Sequence, residues 1–148
     1  MKIYLGADHN GYKHKEQLEL YLQAAGHDVV DLGGQTLQPS DDFPDYAAKV
    51  AQEVLSDAGH DARGVLLCGS GQGMCMAANR FKGIRASLCW NQGQARAARN
   101  DDDSNVLCLP SRELSNQEVQ SITSIWLRTP FANADRYVRR LKQLDRLP

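Results

Sequence analysis

Short apolar runs that alternate with longer amphipathic stretches constrain this chain more than any other feature of its sequence. The runs Lys2–Ala7, Asp28–Leu32, Gly64–Cys68, Ile84–Cys89 and Asn105–Leu109 are rich in Ile, Val and Leu and are bounded by Gly, Asp or Asn. Near-continuous apolar character is what a strand buried on both faces requires. Stretches near 11–25, 43–58, 72–81, 91–100, 115–128 and 134–146 read as helices. Within them apolar residues recur every three to four positions, as in Leu18, Leu22 and Ala25, or Ala47, Val50, Ala51, Val54 and Leu55. Pro44 suits a first helical turn, Gly26 and Gly59 suit helix ends, and Pro130 separates the last two helices. Strands joined by helices of this length imply right-handed crossovers and a parallel sheet. The expectation is an α/β fold: one doubly wound, Rossmann-type, five-stranded parallel sheet with helices on both faces. At 148 residues the chain has the size of a single domain, 1–148.

Seventeen basic and eighteen acidic residues give a net charge of −1, so no global field draws the chain to nucleic acid or to an anionic membrane. The N-terminal segment turns charged too early for the apolar core of a signal peptide. The longest uncharged stretch, Gly64 to Asn79, is broken by glycines and falls short of the roughly 20 apolar residues of a membrane span. A cytoplasmic protein is expected. The four cysteines form no CxxC pair, so free thiols are expected in a reducing compartment.

In doubly wound folds ligands bind at the carboxyl ends of the strands. After the first strand stands Gly6-Ala7-Asp8-His9-Asn10-Gly11, which sets Asp8 and His9 beside a helix N-terminus suited to anions. A plain capping role for Asp8 or Asn10 competes with that reading. After the third strand comes the strongest local signal, Cys68-Gly69-Ser70-Gly71-Gln72-Gly73-Met74. Alternate glycines let backbone N–H groups approach a ligand and form a concave anion site, either an oxyanion hole or a phosphate cradle. The spacing fits neither GxxxxGKS/T nor GxGxxG, which disfavours nucleotide binding. At the mouth of that loop N–H dipoles are expected to lower the thiol pKa of Cys68 and make it a base or nucleophile. Cys75, Cys89 and Cys108 read as core. Arg136 and Arg140, four apart, share a helix face able to clamp a phosphate, or else form a solvated basic face. Arg112 adds a donor after the fifth strand. Asp101-Asp102-Asp103 is either an exposed helix end or part of the site, and adjacent acids with no nearby His make a weak metal site.

These residues resemble the ribose 5-phosphate isomerase B type, with the galactose 6-phosphate isomerase subunits, over almost the whole chain. The resemblance rests on Gly6-Ala7-Asp8-His9 with Gly11, Asp45-Tyr46-Ala47, Cys68 to Met74 leading to Ala77-Ala78-Asn79, Gly83-Ile84-Arg85-Ala86, Asn105-Val106-Leu107 and the Arg136/Arg140 pair. It implies a flavodoxin-like sheet, a homodimer with sites shared between subunits and a possible pairing into tetramers, no metal or organic cofactor, and aldose–ketose exchange of a sugar phosphate. By position, Cys68 moves the proton between C1 and C2, the N–H groups of Gly69, Gly71, Gln72 and Gly73 hold the enediolate oxygen, and Ser70 passes protons between the two oxygens. Asp8 binds substrate hydroxyls and Tyr46 lines the pocket. His9, Arg112, Arg136 and Arg140 contact phosphate, some of them from the partner subunit.

The sequence departs from the family where His-Asn-Asp is common and Asp101-Asp102-Asp103 stands instead. The imidazole that assists furanose ring opening is absent, and Asp102 removes a neutral donor near the intermediate. Three neighbouring acids are expected to raise the pKa of one of them, which makes Asp101 a replacement acid. A tetrose phosphorylated on its terminal oxygen closes no furanose ring and needs no such acid. D-Ribose 5-phosphate ranks first as substrate; a tetrose or hexose phosphate, or a non-catalytic phosphosugar-binding protein, are the alternatives.

Overall fold

The computed structural model describes residues 1–147 apart from 58 and 60. Five strands, β1 (Lys2–Ala7), β2 (Asp28–Asp31), β3 (Arg63–Cys68), β4 (Ala86–Leu88) and β5 (Val106–Pro110), form one parallel sheet in the order β2-β1-β3-β5-β4. Six helices follow in chain order: α1 (Tyr12–Ala24), α2 (Phe43–Ser56), α3 (Gln72–Ala78), α4 (Gln92–Asn100), α5 (Asn116–Arg128) and α6 (Asp135–Leu144). The parallel α/β architecture is as expected. Its last two strands, however, exchange places relative to the flavodoxin order 2-1-3-4-5.

Strands β1, β3 and β5 feed two cores, because successive side chains leave opposite faces. Ile3, Leu5, Val65, Leu67, Leu107 and Leu109 pack with Leu18 and Leu22 of α1, Ala95 of α4 and Ile122 and Trp126 of α5. Tyr4, Leu66, Cys68, Val106 and Cys108 pack on the other face with Val50 and Val54 of α2 and Met74 and Ala78 of α3. All four cysteines are free, with Cys89 and Cys108 buried in these cores and Cys75 half-buried.

Among the boundaries that differ from the sequence reading are those of β4, α3 and α2. Strand β4 is shorter than Ile84–Cys89, since the Ile84 N–H bonds back to Phe81 in a turn and side chains take the next two N–H groups, Asn105 Oδ1 that of Arg85 and Asn79 Oδ1 that of Ala86. Helix α3 stops at Ala78 and not near 81, since the Asn79 amide leaves the helix to pair with both backbone groups of Ala86. Helix α2 ends at Ser56, so Gly59 lies beyond its end; position 58, where the helix was expected to stop, lies outside the described residues. Gly26 does end α1, at a φ of 85° that glycine adopts without strain.

The connections that leave β1 and β3 run along opposite faces of the sheet. Helix α1, after β1, lies on one face, while α3, after β3, lies on the other, and β1 and β3 are neighbours. The chain therefore opens a crevice at the carboxyl ends of β1 and β3. Helix α6 stands apart: none of its described residues is buried, and Leu144 is about half exposed.

Candidate active site

The crevice is built on close backbone approach. At Gly11 a Cβ would drive into the Leu67 carbonyl group, whose carbon would lie 2.6 Å away, so only glycine lets α1 start this close to β3. Gly71 has a φ of 73° and bends the chain from β3 into α3. The Asp8 N–H bonds the Leu67 carbonyl at 3.3 Å, which ties the ends of β1 and β3 together.

Asp8 is buried, and its Oδ1 accepts the N–H groups of Asn10 at 2.9 Å and Gly11 at 3.1 Å. These bonds shape the turn ahead of α1, whose N-cap is Gly11 with no side-chain cap, so the capping role expected for Asp8 or Asn10 is not what the structure shows. Among the described residues Oδ2 has no hydrogen-bond partner, and Asp8 acts electrostatically on both Cys68 and Tyr46. Cys68 is buried at the end of β3, and its Sγ accepts the Gly71 N–H at 3.2 Å. The expected lowering of its thiol pKa is not what the structure shows. Backbone N–H groups of Met74, Gly71 and Ser70 do pull it down, but burial of the sulfur outweighs them and the Asp8 carboxylate adds to the upward push. A thiolate at this seat must gain positive charge from elsewhere.

The glycine loop spends part of its donor set internally: Gly71 N–H on Cys68, and Gln72 N–H on Ser70 Oγ at 3.4 Å. Ser70 is exposed at the rim. Arg112 lies over the loop, its backbone N–H bonding the Gly69 carbonyl at 3.0 Å while a Cβ on Gly69 would meet the guanidinium carbon at 3.0 Å. Its Nη2 donates to Asn10 Oδ1 at 3.2 Å. Phe43, at the start of α2, closes over Gly73.

Two residues that the sequence did not single out belong here. Asp41, in the long loop after β2, binds His9 through the backbone N–H at 3.0 Å and through Nδ1 at 2.7 Å, and lies within electrostatic reach of the Tyr46 hydroxyl. Those donors hold its carboxyl below the usual carboxylate range despite the burial that opposes them. Ser111, whose N–H bonds the Cys68 carbonyl at 2.8 Å, carries a buried Oγ with no partner among the described residues. A loop of Gln, Ser and Asp residues gives no periodic signal, and one serine after a strand gives none either.

The remaining predicted residues lie elsewhere. Asp101, Asp102 and Asp103 precede β5, whereas Cys68 is paired with Pro110 at its far end. The five residues of β5 span about 17 Å at roughly 3.3 Å each. Arg136 and Arg140 of α6 sit with the acids: Asp101 interacts with Asn100, Tyr137 and both arginines, which together hold its carboxyl below the usual range. This corrects the expectation that Asp101 carries a raised pKa. The raised carboxyl is Asp102, lifted by partial desolvation and by Asp101 beside it. Asp103 is structural, bridging Arg85 at 2.9 Å and Arg99 at 2.8 Å, while Arg99 Nη1 also donates to the Ser104 carbonyl and Trp126 Nε1 to Ser104 Oγ. Asp102 alone of the three lines a cavity of about 530 Å³ between residues 79–87 and the end of α6. Away from both places, Glu16, Glu19 and Asp31 lie close enough to share a cation, but the buried Lys15 ammonium already pairs with Glu16 and Asp31.

Residues 3–144 match the sequence profile described as Ribose/Galactose Isomerase. The chain belongs to the ribose/galactose isomerase family. Its relatives include a probable ribose-5-phosphate isomerase B of Mycoplasma genitalium, 38% identical over 144 residues, or 97% of this chain and 93% of that protein. The fold of this family member superposes on a ribose 5-phosphate isomerase from Thermotoga maritima with a TM-score of 0.93 at 41% identity, over 99% of this chain and 98% of the other. The Mycoplasma genitalium isomerase B with bound ribulose-5-phosphate gives the same TM-score, 0.93, at 36% identity, over 98% and 94% of the two chains. Among the described residues of this isomerase-family chain no helix is long and apolar enough to cross a membrane.

Proposed function

We propose that this chain interconverts D-ribose 5-phosphate and D-ribulose 5-phosphate through a cis-enediolate, as a single isomerase domain over 1–148 that needs no metal or organic cofactor. The observation that carries the proposal is a thiol seated among backbone N–H groups at the sheet's crevice, in a chain that matches a ribulose-5-phosphate-bound isomerase over nearly its full length. Aldose–ketose exchange needs a base for the carbon-bound proton, donors for the enediolate oxygen and an anchor for phosphate. Cys68 is the base, the free N–H groups of the Gly69 to Gly73 loop and the Ser70 hydroxyl serve the oxygens, Asp8 Oδ2 takes a sugar hydroxyl, Tyr46 lines the pocket, and His9 and Arg112 meet the phosphate.

Arg136, Arg140 and Asp102 stand at the opposite end of the sheet from Cys68, which supports a homodimer in which each site joins the crevice of one subunit to the α6 end of its partner. Two arginines arriving beside phosphate and thiol supply the positive charge that Cys68 lacks in the lone chain. The unburied α6 has the form of an element that finds its packing on a second copy. The ring-opening proton comes from Asp102, whose raised carboxyl faces open space, and not from Asp101, which its donors keep ionised. A cytoplasmic, reducing setting keeps the four thiols free.

Proton NMR in D2O of the purified protein with D-ribose 5-phosphate tests the reaction. Appearance of ribulose 5-phosphate with deuterium at the exchanging carbon is the expected result. Turnover of a tetrose or hexose phosphate with ribose 5-phosphate inert moves the substrate assignment, and binding without turnover of any of them leaves a phosphosugar-binding protein.

A further inference from the structure

A chain of four side chains crosses the rim of the crevice. His9 Nδ1 meets Asp41 Oδ1 at 2.7 Å, His9 Nε2 meets Asn10 Nδ2 at 2.9 Å, and Asn10 Oδ1 accepts Arg112 Nη2 at 3.2 Å. Its polarity follows from which atoms can only donate. A guanidinium has no acceptor, so the Asn10 atom facing Arg112 is the carbonyl oxygen and the atom facing His9 is the amide nitrogen. That nitrogen donates, so His9 Nε2 presents a lone pair. The ring proton of neutral His9 therefore sits on Nδ1 and is given to the Asp41 carboxylate, which also accepts the His9 backbone N–H at 3.0 Å.

We propose that Asp41 is a positioning residue for His9. It fixes the Nδ1–H tautomer and the ring plane from behind, keeps Nε2 as the nitrogen turned to the ligand, and offers the counter-charge for a ring protonated at Nε2 when a phosphate displaces the Asn10 amide. The charged and titratable groups around His9 are Asp41 with the Tyr46 hydroxyl near it, the carboxylate of Asp8, its neighbour in the chain, and Arg112 through Asn10. Asp41 alone of these bonds the ring directly as an anion. It lies in an irregular loop with no helix or strand to disrupt, so its replacement leaves the sheet intact. The consequence for substrate affinity rests on the phosphate role given to His9 above.

The experiment is ¹⁵N–¹H correlation NMR of the imidazole in wild type, Asp41→Ala and Asp41→Asn, paired with KM, kcat and competitive inhibition by inorganic phosphate. In the wild type the His9 signals should show one Nδ1–H tautomer. Asp41→Ala should give a mixture and raise KM and the phosphate inhibition constant about tenfold with kcat within about twofold, because Cys68 is untouched. Asp41→Asn, which keeps an acceptor and drops the charge, should retain the tautomer with an intermediate KM. An unchanged tautomer in Asp41→Ala, or an Nε2–H form in the wild type, overturns the inference. A shifted tautomer with unchanged phosphate inhibition upholds Asp41 as the positioning group and instead removes His9 from the phosphate site.

Discussion

The proposed shared site, with Cys68 and the α6 arginines at opposite ends of β5, gives a quantitative test in mixed dimers. On that proposal, Cys68→Ala removes the base from both sites of the dimer. In the double variant Arg136→Ala/Arg140→Ala both sites lose the clamp, so each pure protein should be inactive. A heterodimer of the two has one site with an intact Cys68 facing intact arginines and one site defective twice. With random assortment at equal concentrations, about half the dimers are mixed and each has one working site of two, so about one quarter of wild-type activity should return. The assay is ribose 5-phosphate turnover after the two proteins are co-unfolded and refolded together, against each refolded alone. If Cys68 and the arginines served the same site within one chain, no mixture would recover activity. Recovery near zero, with mixed dimers demonstrated by differently tagged subunits, refutes the shared-site reasoning; recovery well above one quarter refutes the counting.

Further outcomes follow from single side chains. Burial, with the Asp8 carboxylate, pushes the Cys68 thiol above its ordinary value in the lone chain, so without the partner's arginines it stays protonated at neutral pH. Iodoacetamide should therefore label Cys68 slowly at pH 7 in Arg136→Ala/Arg140→Ala, faster as pH rises, and faster at pH 7 in the wild type; fast labelling of the double variant at neutral pH contradicts the burial argument. Asp102→Asn should lower kcat for ribose 5-phosphate at least about tenfold yet spare erythrose 4-phosphate, which needs no ring opened, while Asp101→Asn should leave that ratio unchanged. Gly11→Ala should destabilise the fold by about 3 kcal/mol or more in urea unfolding, because the new Cβ meets main chain that cannot move aside. Asp103→Ala strands the buried Arg99 and loosens Arg85, and should cost about 3 kcal/mol in the same assay.

The sequence alone determined the parallel α/β class, the two-faced strands and the crevice residues Asp8, His9 and Cys68. Each is written in a local pattern: apolar runs of strand length, helical periodicity, glycines where backbone meets backbone. Local pattern could not settle the place of β5 between β3 and β4, since strand order depends on which face each crossover takes. Nor could it settle the charge state of a group. N–H dipoles predicted a lowered thiol at Cys68, and burial beside Asp8 reversed the sign. Among three adjacent acids the sequence pointed to Asp101 as the raised one, but Asn100, Tyr137 and the arginines claim Asp101, Arg85 and Arg99 claim Asp103, and Asp102 is left with the raised carboxyl. Asp41 stands 32 positions from His9 in a loop without periodicity, so tertiary contact alone makes them partners. Distance along the chain carries no information about desolvation or field. Both depend on what the fold packs around a group, and tertiary structure therefore decided the partners and the protonation tendency of each residue in a legible motif.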